Sequence, residues 1–246
     1  MIEVNSLYKK FNKLPVLNGV DFKIQSGSST AILGPNGSGK TTLMKCLLGM
    51  VIPNAGSIFF GGRNIIGKYA YRHQIDYLPQ IARFPDNLKV SELLRMIKDL
   101  REVDCDASEL VALFDLKTSL RKKLRHLSGG TRQKVNIVLS MMFNSPLLIM
   151  DEPTTGLDPL SLIRFKELVK DRSNNGTTIL ITTHIMSIVE ELAQNIIFLL
   201  DGRVWFDGKV TELLETYRSR SIDEAIAQIM SKNQEGNKLK AIKNWK

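Results

Sequence analysis

The sequence predicts an α/β protein, and three stretches predict it. GPNGSGKTT, Gly34 to Thr42, lies between the apolar run SSTAILG and the helix-like TLMKCLLGM, so its glycines fall at a strand-to-helix turn. PLLIMDEP, Pro146 to Pro153, is an apolar strand with no polar face, as expected of a central strand in a parallel sheet, and it ends in two carboxylates. TTILITTH, ending at His184, is another such strand. Parallel sheets bind ligands at the carboxyl ends of their strands, which is where Asp151, Glu152 and His184 fall.

The elements follow in order. From Met1 to about Ile32, the segments IEVNSLYKKF, VLNGVDFKI and QSGSS alternate apolar runs with turn residues and read as strands joined by tight turns. The next stretch matches the phosphate-loop pattern G-x-x-x-x-G-K-[ST] from Gly34 through Pro35, Asn36, Gly37, Ser38, Gly39 and Lys40 to Thr41, with Thr42 beyond it. Its glycines adopt backbone angles closed to other residues, which lets successive N–H groups curl round an anion at the positive end of a helix. Lys40 would add a point charge on the β- and γ-phosphates, and the Thr41 hydroxyl would ligate Mg²⁺. On the early sheet of such a nucleotide-binding protein, Phe11 is placed to stack on an adenine ring and Val16 to pad it, the alternative for Phe11 being a half-buried strand aromatic.

PNAGSIFFGGRNI then gives a turn and a short hairpin, and RHQIDYLPQ a strand ending at Gln80. From Pro85 to Asn144 the periodicity turns helical, in VSELLRMIKDLREV and DASELVALFDL, so a helical subdomain is inserted between two parts of a sheet domain. Ser91 and Ser108 have the residue type and placement of helix N-caps. IIFLLDGRVWFDG reads as a hairpin closing on Asp201 and Gly202, and the polar, lysine-rich NQEGNKLKAIKNWK as a mobile tail.

A chain of 246 residues that is 43% hydrophobic buries a substantial core, and no apolar run approaches the ~18 residues a membrane span needs. MIEVNSLYKK lacks a secretory signal's apolar segment, which predicts a cytoplasmic protein. Cys46 and Cys105, far apart and without a Cys/His cluster, fit a reducing compartment and argue against zinc; Cys46 is expected in the core. The net charge of +9 favours anionic partners, but the lysines after Met230 are not interleaved with aromatics suited to stacking on bases, which argues against nucleic acid.

LSGGTRQKV, from Leu127, places a serine and two glycines before an amphipathic helix whose N-terminus suits a second anion. With it, the sequence resembles the nucleotide-binding domains of ATP-binding-cassette (ABC) proteins from about Met1 to Tyr217. The resemblance rests on Walker A at Gly34 to Thr42, the Q-loop at Gln80, the signature at Leu127 to Gln133, Walker B at Leu147 to Glu152, the D-loop at Gly156 to Asp158 and the switch residue His184. It implies a P-loop NTPase (RecA-like) core with an antiparallel β subdomain and a helical subdomain at about residues 85–144. The ABC ATPase domain would be residues 1–217, followed by a basic extension, 218–246, that is partly mobile.

The same resemblance implies an ATPase using ATP and Mg²⁺. Asp151 would hold the metal through water, with Thr41 and Gln80 completing its protein contacts, and Glu152 would orient and deprotonate the attacking water. Adjacent residues of an extended strand point to opposite sides, which fits two roles for two neighbouring carboxylates. His184 would contact the γ-phosphate, and Gln80 would sense the metal and the water. Ser128, Gly129 and Gly130 would meet the ATP of a second copy, with Asp158 reaching across, so that one chain holds two half-sites in a homodimer.

RFPDNLKVSELL, from Arg83, looks like the segment with which transporter ATPases receive a helix of a membrane subunit, with Phe84 and Pro85 as the contact. The insert between Gln80 and Ser128 is too short for the coiled coil of DNA-repair and chromosome-organising relatives, and a single cassette is present where translation-linked relatives carry two. These features favour a transporter subunit, peripheral on the inner face of the membrane through its partner and without insertion of its own. The alternative is a soluble ABC ATPase acting on nucleic acid or a protein machine. YLPQIARFPDNLKVSELL and LSGGTRQKV most resemble the ATPase of the system supplying copper-site components to nitrous oxide reductase. Asp76 and Thr131 depart from the family, which commonly has Gly and Gln there.

Overall fold

The computed structural model describes residues 1–243, with side chains to residue 233. The chain divides into two compact units, one formed by residues 1–24, 29–68 and 183–246 and the other by residues 25–28 and 69–182.

In the first unit β1 (Ile2–Phe11) and β2 (Leu14–Ile24) form the expected antiparallel pair, and β4 (Ala55–Phe60) and the short β5 (Arg63–Asn64) complete a sheet in the order β2-β1-β4-β5. Ile2, Val4 and Leu7 of β1 all point inward although strict alternation would turn Leu7 outward. The register shift between Val4 and Leu7, with Ser6 at φ 45°, supplies the missing half-step.

The same unit holds β3 (Ser29–Leu33), parallel to β9 (Asn195–Leu200), which pairs antiparallel with β10 (Arg203–Lys209). All of β3 is buried, and Ala31, Ile32 and Leu33 give it three consecutive apolar residues after the polar Ser29 and Thr30. Around these strands lie α1 (Lys40–Leu47), α6 (Met186–Leu192), α7 (Val210–Thr216) and α8 (Ile222–Lys243). Ile222, Ala225 and Ile229, at helical spacing, are buried and anchor α8. The stretch read as a mobile tail is therefore helical as far as Lys243; the side chains of 234–243 and all of 244–246 lie outside the described residues, and so does the expected mobility.

In the second unit β6 (Ile75–Leu78), β7 (Leu147–Asp151) and β8 (Thr178–Thr182) are parallel, with β7 in the middle and every one of its residues buried. The central apolar strand is thus where the sequence placed it. The helices are α2 (Val90–Arg101), α3 (Ser108–Leu113), α4 (Gly129–Met141) and α5 (Pro159–Asn174).

The two expected serine caps are not caps. The helix α2 starts one residue earlier, with Lys89 at the cap position and its N–H donated to Glu92 Oε2 at 2.9 Å, so Ser91 lies inside the first turn. Ser108 is the first residue of α3, and its N–H is satisfied by Asp106 Oδ1 at 2.8 Å. In both cases a nearby carboxylate satisfies the orphan donor, and a carboxylate is favoured further by the helix dipole.

Candidate functional site

Between β3 and α1 the chain has the backbone its glycines were expected to supply. Gly34, Gly37 and Gly39 have φ of 153°, 82° and 105°. At two of them space matters as much as torsion. A β-carbon on Gly34 would lie 2.1 Å from Leu199 O, and one on Gly39 would lie 2.9 Å from Val16 O, whereas Gly37 has open space. The loop therefore sits directly on the backbone of β9 and β2.

That contact gives the Val16 backbone a role of its own. Its carbonyl also lies 2.3 Å from where a Gly202 β-carbon would be, so Val16 supports the loop through its backbone. Gly202 in turn donates its N–H to Ser38 O at 3.1 Å, and its own carbonyl accepts the Asn18 N–H at 2.8 Å. The Asn18 side chain adds a bond to Asp201 O at 3.0 Å. The turn of the β9–β10 hairpin is thus a brace for the phosphate loop.

Four features fit this loop to a phosphate chain. Its glycines open the backbone, and α1 begins at Lys40 with no side-chain cap and no acidic residue in its first turn, so its N–H groups and dipole favour an anion. Ser38 is buried, and its hydroxyl has no hydrogen-bond partner among the described residues. Lys40 folds over the loop, its Nζ donating to Gly34 O at 2.6 Å and Pro35 O at 3.1 Å. Thr41 is exposed, Thr42 half-buried, and Asn36 exposed.

Gly34→Ala is expected to reduce stability by roughly 1–3 kcal/mol through backbone strain alone, with the collision against Leu199 O adding to it. Gly37→Ala carries only the strain, so its urea midpoint should stay closer to the parent's. Equal losses in the two variants would show that the loop does not press on β9 as described.

Elsewhere in this unit, Phe11 at the end of β1 is 47% exposed, with Lys9 Nζ 5.0 Å from its ring centre. His184 is exposed, in a turn where the Ile185 N–H donates to Thr183 Oγ1 at 3.1 Å. Cys46 is buried in α1, and burial pushes its thiol up to about 11, which keeps it protonated and inert.

In the second unit Asp151 ends β7, is buried, and accepts a hydrogen bond from the Thr182 hydroxyl. Burial, followed by the charge of Asp151, pushes the Tyr77 phenol up to about 12. The strand stops at Asp151. Glu152 has φ 47° and donates its N–H to Thr182 O at 2.9 Å, so it stands in a left-handed conformation beyond the strand, and the strand alternation expected for the two carboxylates does not extend to it.

The helix α4 organises the rest of this unit's motif residues. Ser128 caps it, its exposed hydroxyl accepting the Thr131 N–H at 3.2 Å and lying 2.9 Å from Thr131 Oγ1. Gly130 is held small by Gly156 O, 2.9 Å from where its β-carbon would be. One turn on, Gln133 donates to Pro153 O at 2.7 Å, Lys134 pairs with Asp158 at 2.7 Å, and Asn136 donates to Pro79 O at 3.1 Å. The signature, the D-loop, the residue after Walker B and the residue before Gln80 are therefore joined through one helix. Gln80 itself is exposed.

Asp158 caps α5 through the Ser161 N–H at 2.9 Å and hydroxyl at 2.8 Å. Lys134 first, then these Ser161 bonds, hold its carboxyl well below the usual range. Gln133, Lys134 and Asn136 were not singled out by the sequence reading; their spacing along one helix beside the signature was the signal available.

One unit holds a glycine-rich loop with an uncapped helix and a buried Ser38 hydroxyl, and the other a buried carboxylate at the end of a central parallel strand; each by itself is a feature of nucleotide-binding α/β proteins. A family model described as ABC transporter matches residues 17–155. Over 218 residues the chain is 34% identical to the daunorubicin resistance ATP-binding protein DrrA3 of Streptomyces coeruleorubidus, covering 86% of this chain and 69% of that protein. Over 208 residues it is 32% identical to the lantibiotic transport ATP-binding protein SrtF of Streptococcus pyogenes, covering 83% and 89% respectively. A solved structure described as the ATP binding subunit of an ABC transporter matches with a TM-score of 0.87 at 30% identity, covering 94% of this chain and 99% of that one. The chain belongs to the ABC transporter family, and within it is an ATP-binding subunit that hydrolyses ATP.

Proposed function

We propose that the chain drives an export-type ABC transporter, as two head-to-tail copies bound to membrane-embedded partner subunits at the inner face of the membrane. The observation that carries the nucleotide chemistry is the phosphate loop, with its uncapped helix and its buried, unpartnered Ser38 hydroxyl. Export is supported by a further relative, 32% identical over 220 residues, whose name is Nod factor export ATP-binding protein I, of Ralstonia nicotianae. No helix among the described residues is long and apolar enough to cross a membrane. The catalytic cassette is residues 1–217, with the helical subdomain at about 85–144, and 218–246 is a basic extension.

In this reading Gly34 to Thr42 hold the phosphates of ATP, with Lys40 neutralising the transferring group, while Phe11 and Val16 border the base. Mg²⁺ supplies charge stabilisation on the phosphate oxygens. Thr41, Gln80 and Asp151 would hold it, directly or through water, with oxygen donors of the kind it prefers. Glu152 takes the proton of the attacking water, His184 contacts the γ-phosphate, and Ser128, Gly129, Gly130 and Asp158 serve the second copy. The experiment is ATP turnover by the purified chain, which Glu152→Gln should remove.

The partner contact is proposed at Phe84, half-buried, beside exposed Pro85 and Ile81, the last 70% exposed. Phe84→Asp is expected to block assembly with the membrane subunit and to change ATP affinity by less than about threefold, because a charge is costly in an apolar contact and the phosphate loop lies elsewhere in the chain. Co-purification of the membrane subunit at the parent level would remove Phe84 from this role.

The finer expectation, supply of copper-site components for nitrous oxide reductase, rests on two short segments. The relatives named above are described by other cargoes and do not support it. Export without a named cargo is the reading the relatives support.

A further inference from the structure

A buried carboxylate outside every motif joins the elements that carry them. Asp76, on β6, is 1% exposed. Its oxygens accept the Ser145 N–H at 2.9 Å, the Ser145 hydroxyl at 2.7 Å, an Arg101 N–H at 2.8 Å and an Arg172 N–H at 3.5 Å. Both guanidinium groups extend the cluster. Arg101 also donates to Ile75 O and, at 3.2 Å, to the Ser145 hydroxyl, with its guanidinium 4.5 Å from the centre of the Phe143 ring. Arg172 donates to Met141 O at 2.8 Å. Burial pushes the Arg172 guanidinium down from its ordinary value, and the charge of Asp76 opposes that effect.

The contacts fall at the ends of these elements remote from their motif residues. Asp76 is near the start of β6, which leads to Gln80, and Ser145 precedes β7, which ends at Asp151. Met141 ends α4, whose first turn carries Gly129 and Gly130, and Arg172 lies in the last turn of α5, which Asp158 caps. At a rise of 1.5 Å per residue both helices are levers of roughly 20 Å, and a tilt of about 3° at the clamped end moves the far tip by roughly 1 Å.

We propose that Asp76 is a positioning residue for hydrolysis. With Arg101, Arg172 and Ser145 it fixes how α4 and α5 lie on β6 and β7, and so where the signature, Walker B and D-loop residues stand. The inference rests on the roles proposed above for those residues. A buried carboxylate bonded on both oxygens is a weak source of stability and a stronger source of registry, because misplacing its partners leaves a buried charge unpaired.

The test compares the full chain with Asp76→Asn, Arg101→Lys and Ser145→Ala. Thermal melting, ATP-analogue affinity, KM and kcat per folded molecule are measured well below each melting point. Since misplacement by 1 Å costs as much as ~10²-fold in rate, Asp76→Asn is expected to lower kcat by about 10- to 100-fold, with nucleotide affinity within about threefold because the phosphate loop belongs to the other unit. Arg101→Lys keeps the charge and loses the fork, and Ser145→Ala keeps its N–H donor, so both should fold and lose about three- to tenfold in kcat.

If Asp76→Asn does not fold, the other two variants decide. Folded variants whose kcat stays within twofold of the parent, whatever their melting points, would overturn the positioning role and leave a purely structural one. A parent chain whose turnover survives Glu152→Gln would instead overturn the functional reading, an outcome separable from the first.

Discussion

Glu152→Gln is expected to bind ATP as the parent does and to hydrolyse it ~10²–10⁴-fold more slowly, the range typical of a lost general base. The substitution is close to isosteric. The left-handed backbone at Glu152 and its N–H bond to Thr182 O belong to the main chain and should survive. Asp151, buried and bonded to the Thr182 hydroxyl, keeps its carboxylate, so the metal contact assigned to it is unchanged. What the amide loses is basicity, while positioning and charge stabilisation of the phosphoryl group remain, which is why binding and turnover should separate. Equilibrium binding of a nucleotide analogue and single-turnover phosphate release measure the two independently. Turnover in the variant within a few-fold of the parent would remove Glu152 as the base.

How much of this was legible in the sequence depended on whether a constraint was local. The phosphate loop was legible because glycine at 34 and 39 answers both a backbone torsion and a close approach, and nothing else answers both. β7 was legible because burial on both faces forces an unbroken apolar run. The serine caps were misread because serine is only a preference at that position, and the carboxylates of Glu92 and Asp106 satisfied the donors instead. The left-handed turn at Glu152 has no signature in glutamate itself.

The longest-range features were the least visible. Asp76 meets Arg101, Ser145 and Arg172 across 25, 69 and 96 residues of chain, and no periodicity or motif encodes such a meeting. Nothing in the sequence around Asp76 indicates its partners, which only the fold brings to it. Asn18 bracing Asp201 across 183 residues is of the same kind. A short-segment resemblance likewise located the family through its motif residues and did not reach the cargo, since the residues of the motifs serve ATP whatever is transported.

Two inactive variants are expected to restore activity when mixed, because a single chain carries two different halves of the catalytic site. Lys40→Ala removes the charge that lies over the phosphate loop. Ser128→Arg replaces an exposed capping hydroxyl with a bulky guanidinium at the start of α4, at the approach to the other copy's nucleotide. The lost cap costs only ~1 kcal/mol, so the fold should survive. In a homodimer of either variant both composite sites are defective. A heterodimer gathers both defects into one site and leaves the other with Lys40 from one chain and Ser128 from its partner. In an equal mixture half of the dimers are heterodimers, each with one intact site, so independent sites would recover about a quarter of parental turnover by symmetry alone. The measurement is ATP turnover against mixing ratio, with a maximum expected near one to one. A flat profile, together with parental turnover per chain that does not change on dilution, would show that each chain hydrolyses ATP by itself, and Ser128 would then have no catalytic partner to serve.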